Sequence, residues 1–110
     1  MSPSSEPSEA DRRQARRHDV RHLAICRVVA EDGPTLPATV IDLSSSGAGI
    51  EVPTWLPRNQ ELHLAFGGSA NGLTVRARVR FARLANPPLW RIGCEFGQPL
   101  SDEEVALIVR

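Results

Sequence analysis

The chain has 110 residues, 41% of them hydrophobic, which is the length of one domain and enough apolar material for a core without disulfides or metal. Its 13 basic residues balance its 13 acids, so the molecule as a whole is drawn neither to nucleic acid nor to an anionic membrane. Every one of the 13 basic residues is arginine, the side chain that forks onto phosphate and guanine and stacks on flat rings.

Residues 1–11 (MSPSSEPSEAD) carry no large apolar group after Met1 and read as a disordered tail, leaving 12–110 as one stand-alone domain. Residues 12–21 (RRQARRHDVR) form a basic arm with five arginines against one acid, Asp19. The arm has several like charges and little to bury, so the sequence predicts that it orders only on a ligand. The N-terminus has no apolar stretch of signal-peptide type, and no run approaches the ~18–20 residues of a membrane span. The expected setting is therefore the reducing cytoplasm, with Cys26 and Cys94 as buried free thiols.

A first strand is predicted over His22–Ala30, ended by the turn residues Asp32, Gly33 and Pro34. A second covers Ala38–Leu43, Ser44–Gly47 is a turn, and Ala48–Val52 is a third. Pro53 and Pro57 bracket a loop holding Trp55, and Gln60–Phe66 alternates with Leu62, Leu64 and Phe66 on one face. After a glycine-rich turn, Val75, Ala77, Val79 and Phe81 alternate with Arg76, Arg78 and Arg80, which predicts one apolar face and one wet face. The arginine stripe has a second reading as a partner or nucleic-acid surface. Pro87 and Pro88 separate this strand from Trp90–Phe96, where Trp90, Ile92, Cys94 and Phe96 share a face. Both tryptophans read first as core or rim aromatics and second as base-stacking groups.

The period then changes. Ser101 and Glu104 make a capping box, Leu100 and Val105 its hydrophobic staple, and a short helix runs to the C-terminus. Six one-sided strands within about 75 residues need a facing layer, and a closed six-stranded antiparallel β-barrel with the helix across one end supplies it. The expected fold class is all-β. His18, His22 and His63 fall on separate elements, no Cys/His spacing suits zinc, and Ser44, Ser45 and Ser46 have no evident base. The sequence thus predicts neither a metal site nor an enzyme.

Two segments carry the binding chemistry: Arg17-x-x-x-Arg21 before the first strand, and Asp42-x-Ser44-x-x-Gly47 between the second and third. If the first two strands pair antiparallel, the start of one lies beside the end of the other, and the two segments meet at one barrel rim. Guanidinium forks suit phosphate and the O6/N7 edge of guanine, while a carboxylate accepts from guanine N1–H and N2–H₂. Gly47 allows either a positive φ or a close approach. A solvated basic tail and a plain Ser or Asx turn are the bland readings of the same residues.

Arg17-His18-Asp19-Val20-Arg21 followed by Asp42-Leu43-Ser44-Ser45-Ser46-Gly47, with a strand between, resembles the PilZ family. The likeness runs from about Arg16 to the C-terminus and includes the late Gly93-x-x-Phe96 and the final helix. It implies a six-stranded barrel that binds the second messenger cyclic di-GMP without turning it over and signals through a protein effector. Matched residue by residue, Arg17 and Arg21 would hold phosphate and guanine, Asp42 and Ser44 a guanine edge, and Gly47 the turn. Arg16 stands where family members have an arginine that favours an intercalated pair of nucleotides. The arm also offers the registers Arg12/Arg16 and Arg13/Arg17. Two other readings stay open: a PilZ-like interaction module without nucleotide, and a small nucleic-acid-binding barrel.

Overall fold

A computed structural model describes residues 18–30 and 35–109, and for residues 18–25, 30 and 69 it is the backbone that is described. The predicted tail, and Arg16 and Arg17 of the arm, lie outside the described residues, and Arg21 is described by its backbone. The elements are β1 (His18–Ala30), β2 (Thr35–Leu43), β3 (Gly47–Val52), β4 (Glu61–Phe66), a 3₁₀ turn (Gly68–Ala70), β5 (Thr74–Asn86), β6 (Leu89–Phe96) and helix α1 (Asp102–Val109). Among the described residues six strands close into a barrel in the order β1-β2-β3-β6-β5-β4, every adjacent pair antiparallel. The expected fold class holds.

The interior is filled by the predicted alternation. Cys26, Val28, Val40, Ile50, Leu62, Leu64, Val79 and Ile92 are all buried. Burial pushes both thiols up to about 12, so Cys26 and Cys94 sit in the core as protonated free cysteines. At the C-terminus the capping box forms: the Ser101 amide donates to Glu104 Oε1 at 2.9 Å, and the Glu104 amide donates to Ser101 Oγ at 3.1 Å. Leu100, Val105 and Ile108 are buried, and α1 packs on β1 and the 3₁₀ turn, covering the end of the barrel where β4 passes to β5.

Strand ends differ from the sequence reading. β1 starts at His18 rather than His22, β2 at Thr35 rather than Ala38, and β5 continues past Phe81 to Asn86. Main-chain pairing with a neighbour extends these strands through residues whose side chains carry no alternation; Val29 opposite Thr35 is one such pair.

One placement is corrected. Phe81 does not join the apolar face of Val75, Ala77 and Val79, for the residue is 48% exposed. Val79 opposes Cys94 and Phe81 opposes Gly93, so Arg80 is the extra residue of a β-bulge. A one-residue insertion inverts every later side chain of a strand, and Phe81 is turned outward. Trp55 is an exposed rim residue between β3 and β4, whereas Trp90 packs half-buried against the core. No described helix is long and apolar enough to cross a membrane, and no group of His, Cys, Asp or Glu among the described residues could hold a metal.

Candidate functional site

The start of β1 and the Asp42 turn lie at one rim. In the β1–β2 ladder His18 faces Leu43 and Asp19 faces Asp42, so β1 enters the barrel beside the end of β2. Regular pairing resumes only at Ala24 opposite Val40. β1 therefore advances from Asp19 to Ala24 while β2 steps back only to Val40, and Arg21 lies in the bulged stretch between. Such a stretch bends the strand and releases its residues from the alternating pattern.

A second bulge, between β2 and β3, orients Asp42. Val40 opposes Ile50 and Asp42 opposes Gly49, leaving Ile41 as the extra residue. Without it Asp42 would share the inward face of Val40. With it, Leu43 turns into the core at 0% exposure and Asp42 turns out, half-buried. The carboxylate then lies over the Gly49 backbone, where a Cβ would sit 3.1 Å from each of its oxygens. Gly49 thus leaves the space the Asp42 carboxylate occupies.

The turn between Ser44 and Gly47 is held from within. The Ser44 amide donates to the Gly47 carbonyl at 2.9 Å. The Ser44 hydroxyl accepts from the Ser46 amide at 3.2 Å and lies 3.2 Å from the Ser46 hydroxyl. It is 3.4 Å from the Gly47 carbonyl oxygen, to which it donates, and Ser44 as a whole is 1% exposed. The Ser-turn role of this residue is therefore real, and Ser46 is the member of the turn that faces solvent. From outside, the Phe96 amide donates to the Ser46 carbonyl at 2.9 Å and the Leu100 amide to the Ser45 carbonyl at 2.7 Å. The turn is thereby tied to the segment that leads into α1. Gly47 has no positive φ; a Cβ there would collide with the Cys94 backbone carbonyl. Of the two reasons the sequence offered for this glycine, close approach applies, and the approaching group is β6.

Following the register across the outer face, Asp42 is succeeded by Gly49 on β3, Gly93 on β6 and Phe81 on β5. A Cβ on Gly93 would run into the Phe81 ring, so the ring lies directly on the Gly93 backbone. Between this ring and the turn is a depression of about 240 Å³ lined by Ser46, Gly47, Arg80, Phe81, Gly93 and Glu95. Arg80 donates to Glu95 at 2.8 Å, and the Arg83 guanidinium carbon lies 5.8 Å from the Phe81 ring centroid. Sequence reasoning gave Gly49 no role, turned Phe81 inward, and carried Gly93 only as part of the family pattern. A signal for Phe81 was present: the arginine spacing lengthens from two at 76, 78 and 80 to three at 83, which is where the bulge falls.

A larger groove of about 840 Å³ lies over the start of β5, with Arg76, Arg78, Glu61, Gln98 and Glu104 in its walls. Its charge is internally paired. Glu61 accepts from Arg76 at 3.1 Å and from Arg78 at 2.7 Å, and these bonds, that to Arg78 foremost, hold its carboxyl below the ordinary value. The wet-face reading of the stripe is the one the structure bears out.

Comparison with known proteins adds the family. Among solved structures, the chain is similar to the Bacillus subtilis inhibitor of motility, MotI/DgrA, with a TM-score of 0.66 and 16% identity over 88% of this chain and 48% of that one. It thus spans about half the length of that protein. It is also similar to the PilZ domain of Escherichia coli YcgR, whose structure was solved with c-di-GMP, with a TM-score of 0.62 and 17% identity over 88% and 86% of the respective chains. No curated protein matches the sequence. At these identities the structural likeness concerns the fold, and membership rests on the match of residues 11–110 to the PilZ domain model. That match spans nearly the whole sequence, and the chain belongs to the PilZ domain family.

Proposed function

We propose that this protein is a receptor for cyclic di-GMP that binds the nucleotide at the rim shared by its arginine arm and the Asp42–Gly47 turn, and passes the signal to a protein effector. The observation that carries the reading is the β1–β2 register. Asp19 faces Asp42, so the described start of β1 lies at the edge of the Asp42 turn, which supports assigning Arg17 and Arg16, next upstream in the sequence, to the same rim. Arg21, within the bulged stretch, is on the same edge.

The division of labour follows from chemistry. Arg16, Arg17 and Arg21 supply guanidinium forks for phosphate and for the guanine O6/N7 edge, and the resemblance to the family implies that Arg16 favours a second, intercalated nucleotide. Asp42 offers carboxylate oxygens on the outer face for guanine N1–H and N2–H₂. Ser44 sets the turn and Gly47 lets β6 brace it, so the anchor is rigid before ligand arrives. Rigid donors and acceptors avoid the ordering cost that a mobile site incurs on binding. Binding of this kind calls for no bond cleavage, in keeping with a receptor rather than an enzyme. The nucleic-acid reading loses its main support, because Arg76, Arg78 and Arg80 face Glu61 and Glu95 instead of standing as a free cationic stripe.

Calorimetric titration with cyclic di-GMP, with GTP and single-stranded DNA as controls, tests the reading. The expected result is saturable binding of the cyclic dinucleotide alone. A micromolar affinity corresponds to about 8 kcal/mol, of which each charge-assisted hydrogen bond contributes about 1.5–3 kcal/mol. Arg21→Ala and Asp42→Ala should therefore each weaken binding about tenfold or more. Unchanged isotherms for both variants would remove the site assignment, and DNA binding with steep salt dependence would replace the function.

A further inference from the structure

We infer that the end of the barrel away from the Asp42 turn is a docking surface for a protein partner whose contacting face is apolar at its centre and acidic at its edge. The β3–β4 loop and the β5–β6 hairpin build it. None of its residues belongs to the proposed nucleotide rim, so it goes beyond the receptor reading and stands whether or not a nucleotide binds. The two segments are uncharged from end to end: Val52-Pro53-Thr54-Trp55-Leu56-Pro57 and Leu84-Ala85-Asn86-Pro87-Pro88-Leu89-Trp90. The chain is 24% charged, so two such stretches side by side call for a reason. The register brings them together. Val52 at the end of β3 opposes Trp90, and Trp90 opposes Leu84. The far end of the loop returns to the same hairpin, where the Asn59 amide donates to the Val79 carbonyl at 2.8 Å.

Loop and hairpin expose side chains of the kind the barrel buries elsewhere. Leu84 and Trp90 share the inward parity of Ala82 and Ile92. Trp90 packs half-buried against the core, but β5 outruns its other neighbour: β4 starts at Glu61, opposite Arg78, and the hairpin stands beyond it. Leu84 is therefore 53% exposed. In the loop, Leu56 is buried and pins the chain over the barrel mouth, while Trp55 beside it is 55% exposed. Two large apolar side chains are thus held at the surface by buried neighbours. An exposed apolar patch with a polar rim marks an interaction site, and tryptophan and arginine are the residues enriched where protein interfaces hold most tightly.

The rim selects the partner. Arg58 ends the first uncharged stretch, and Arg83 and Arg91 bracket the second. The acid at the remaining boundary, Glu51, faces Arg91 at 3.7 Å. Arg58 and Arg83 have no acidic partner among the described residues, so the rim offers their guanidiniums to incoming carboxylates. A second copy meeting this face by a two-fold axis would set rim arginine against rim arginine, and like charges so placed repel. An anionic bilayer is held by clusters of about four to eight basic residues, more than this rim supplies. A protein surface with carboxylates around an apolar centre complements the patch and its rim together.

The test crosslinks first and titrates second. The full chain, with photoreactive p-benzoylphenylalanine in place of Trp55 or Leu84, or of Leu107 on α1 at the other end as control, is irradiated in the cells that make it. The captured protein is identified and purified. The expected result is one protein captured from the first two positions and not from the third. Titrated with that protein, Trp55→Ala and Leu84→Asp should each bind about tenfold more weakly than wild type, with thermal midpoints close to wild type. Arg58→Glu should weaken binding about threefold or more at low salt, and the loss should shrink at about 0.5 M salt. Capture of a second copy, capture no stronger than at the control, or a partner indifferent to Arg58→Glu would overturn the proposal. So would sedimentation of wild type, but not of Trp55→Ala, with vesicles of phosphatidylglycerol and phosphatidylcholine, since a bilayer would then be the occupant. Titration with cyclic di-GMP keeps the two readings apart: a wild type that binds the partner and no nucleotide removes the receptor and leaves this surface standing.

Discussion

Strand β5 bears arginine at 76, 78, 80 and 83, yet its two halves have opposite surroundings. Before and at the bulge, Arg76 and Arg78 share Glu61 and Arg80 holds Glu95. Past it, Arg83 has no acid among the described residues, and an exposed phenyl ring lies beside it. The residue types scarcely differ, and the register does. The first half opposes β4 and the acidic end of β6, whereas the second opposes Gly93 and Arg91. A row of arginines is therefore not one surface: half of it is neutralised by acidic neighbours, and half has an aromatic ring as its neighbour instead.

The sharpest way to break this contrast is to ask which side of the sheet each half presents. Ile92 lies inside opposite Ala82 at 0% exposure, so Ile92→Ala should cost about 2–5 kcal/mol. Phe81→Ala, one rung away but outside, should cost well under the about 3–5 kcal/mol typical of a buried phenylalanine. Urea unfolding with unchanged m-values measures both. Equal losses would put Phe81 back in the core and erase the distinction.

A smaller effect separates Gly47 from Gly93. A Cβ on Gly47 meets the Cys94 carbonyl, which is backbone and cannot move aside, whereas one on Gly93 meets the tip of an exposed ring, which can. Gly47→Ala should cost about 1–3 kcal/mol or more, and Gly93→Ala clearly less. The Gly93 penalty should also vanish in a Phe81→Ala background, because the clash has one partner. Thermal unfolding of the four proteins checks this. Additive behaviour would mean that the ring does not rest on Gly93.

Most of the barrel was legible because period-two alternation reports burial directly, and the rim was legible because antiparallel pairing makes the start of β1 and the end of β2 neighbours. The bulges at Ile41 and Arg80 were not read: Ile41 leaves no mark in the alternation, and Arg80 leaves only the lengthened arginine spacing from 80 to 83. An inserted residue shows in the ladder, yet it decides whether Asp42 and Phe81 face out or in. The Ser44–Ser46 triplet was ambiguous for a similar reason: three identical hydroxyls do not say which is buried, and only the bonds to Gly47, Phe96 and Leu100 fix Ser44 inside and Ser46 outside. For Gly47 the need for glycine was readable, but its cause lay in a strand almost fifty residues away, at Cys94.

The smallest expected effect concerns the neutralised half. Glu61 has its carboxyl held below its ordinary value of 4.5, first by the hydrogen bond from Arg78 and then by that from Arg76. A carboxyl lowered by folding stabilises the native state above its unfolded value, and that contribution disappears as pH falls through the lowered, folded value. Glu61→Gln should therefore melt slightly below wild type at neutral pH, with the gap closing as pH falls below the ordinary value of 4.5 and through the lowered one. Because the pairs stand in solvent, about 1 M salt should shrink the same gap at neutral pH. A gap that survived both acid and salt would mean that Glu61 joins β4 to β5 by packing rather than charge. The guanidiniums of Arg76 and Arg78 would then be no better neutralised than that of Arg83, and the difference between the halves of β5 would reduce to the aromatic ring alone.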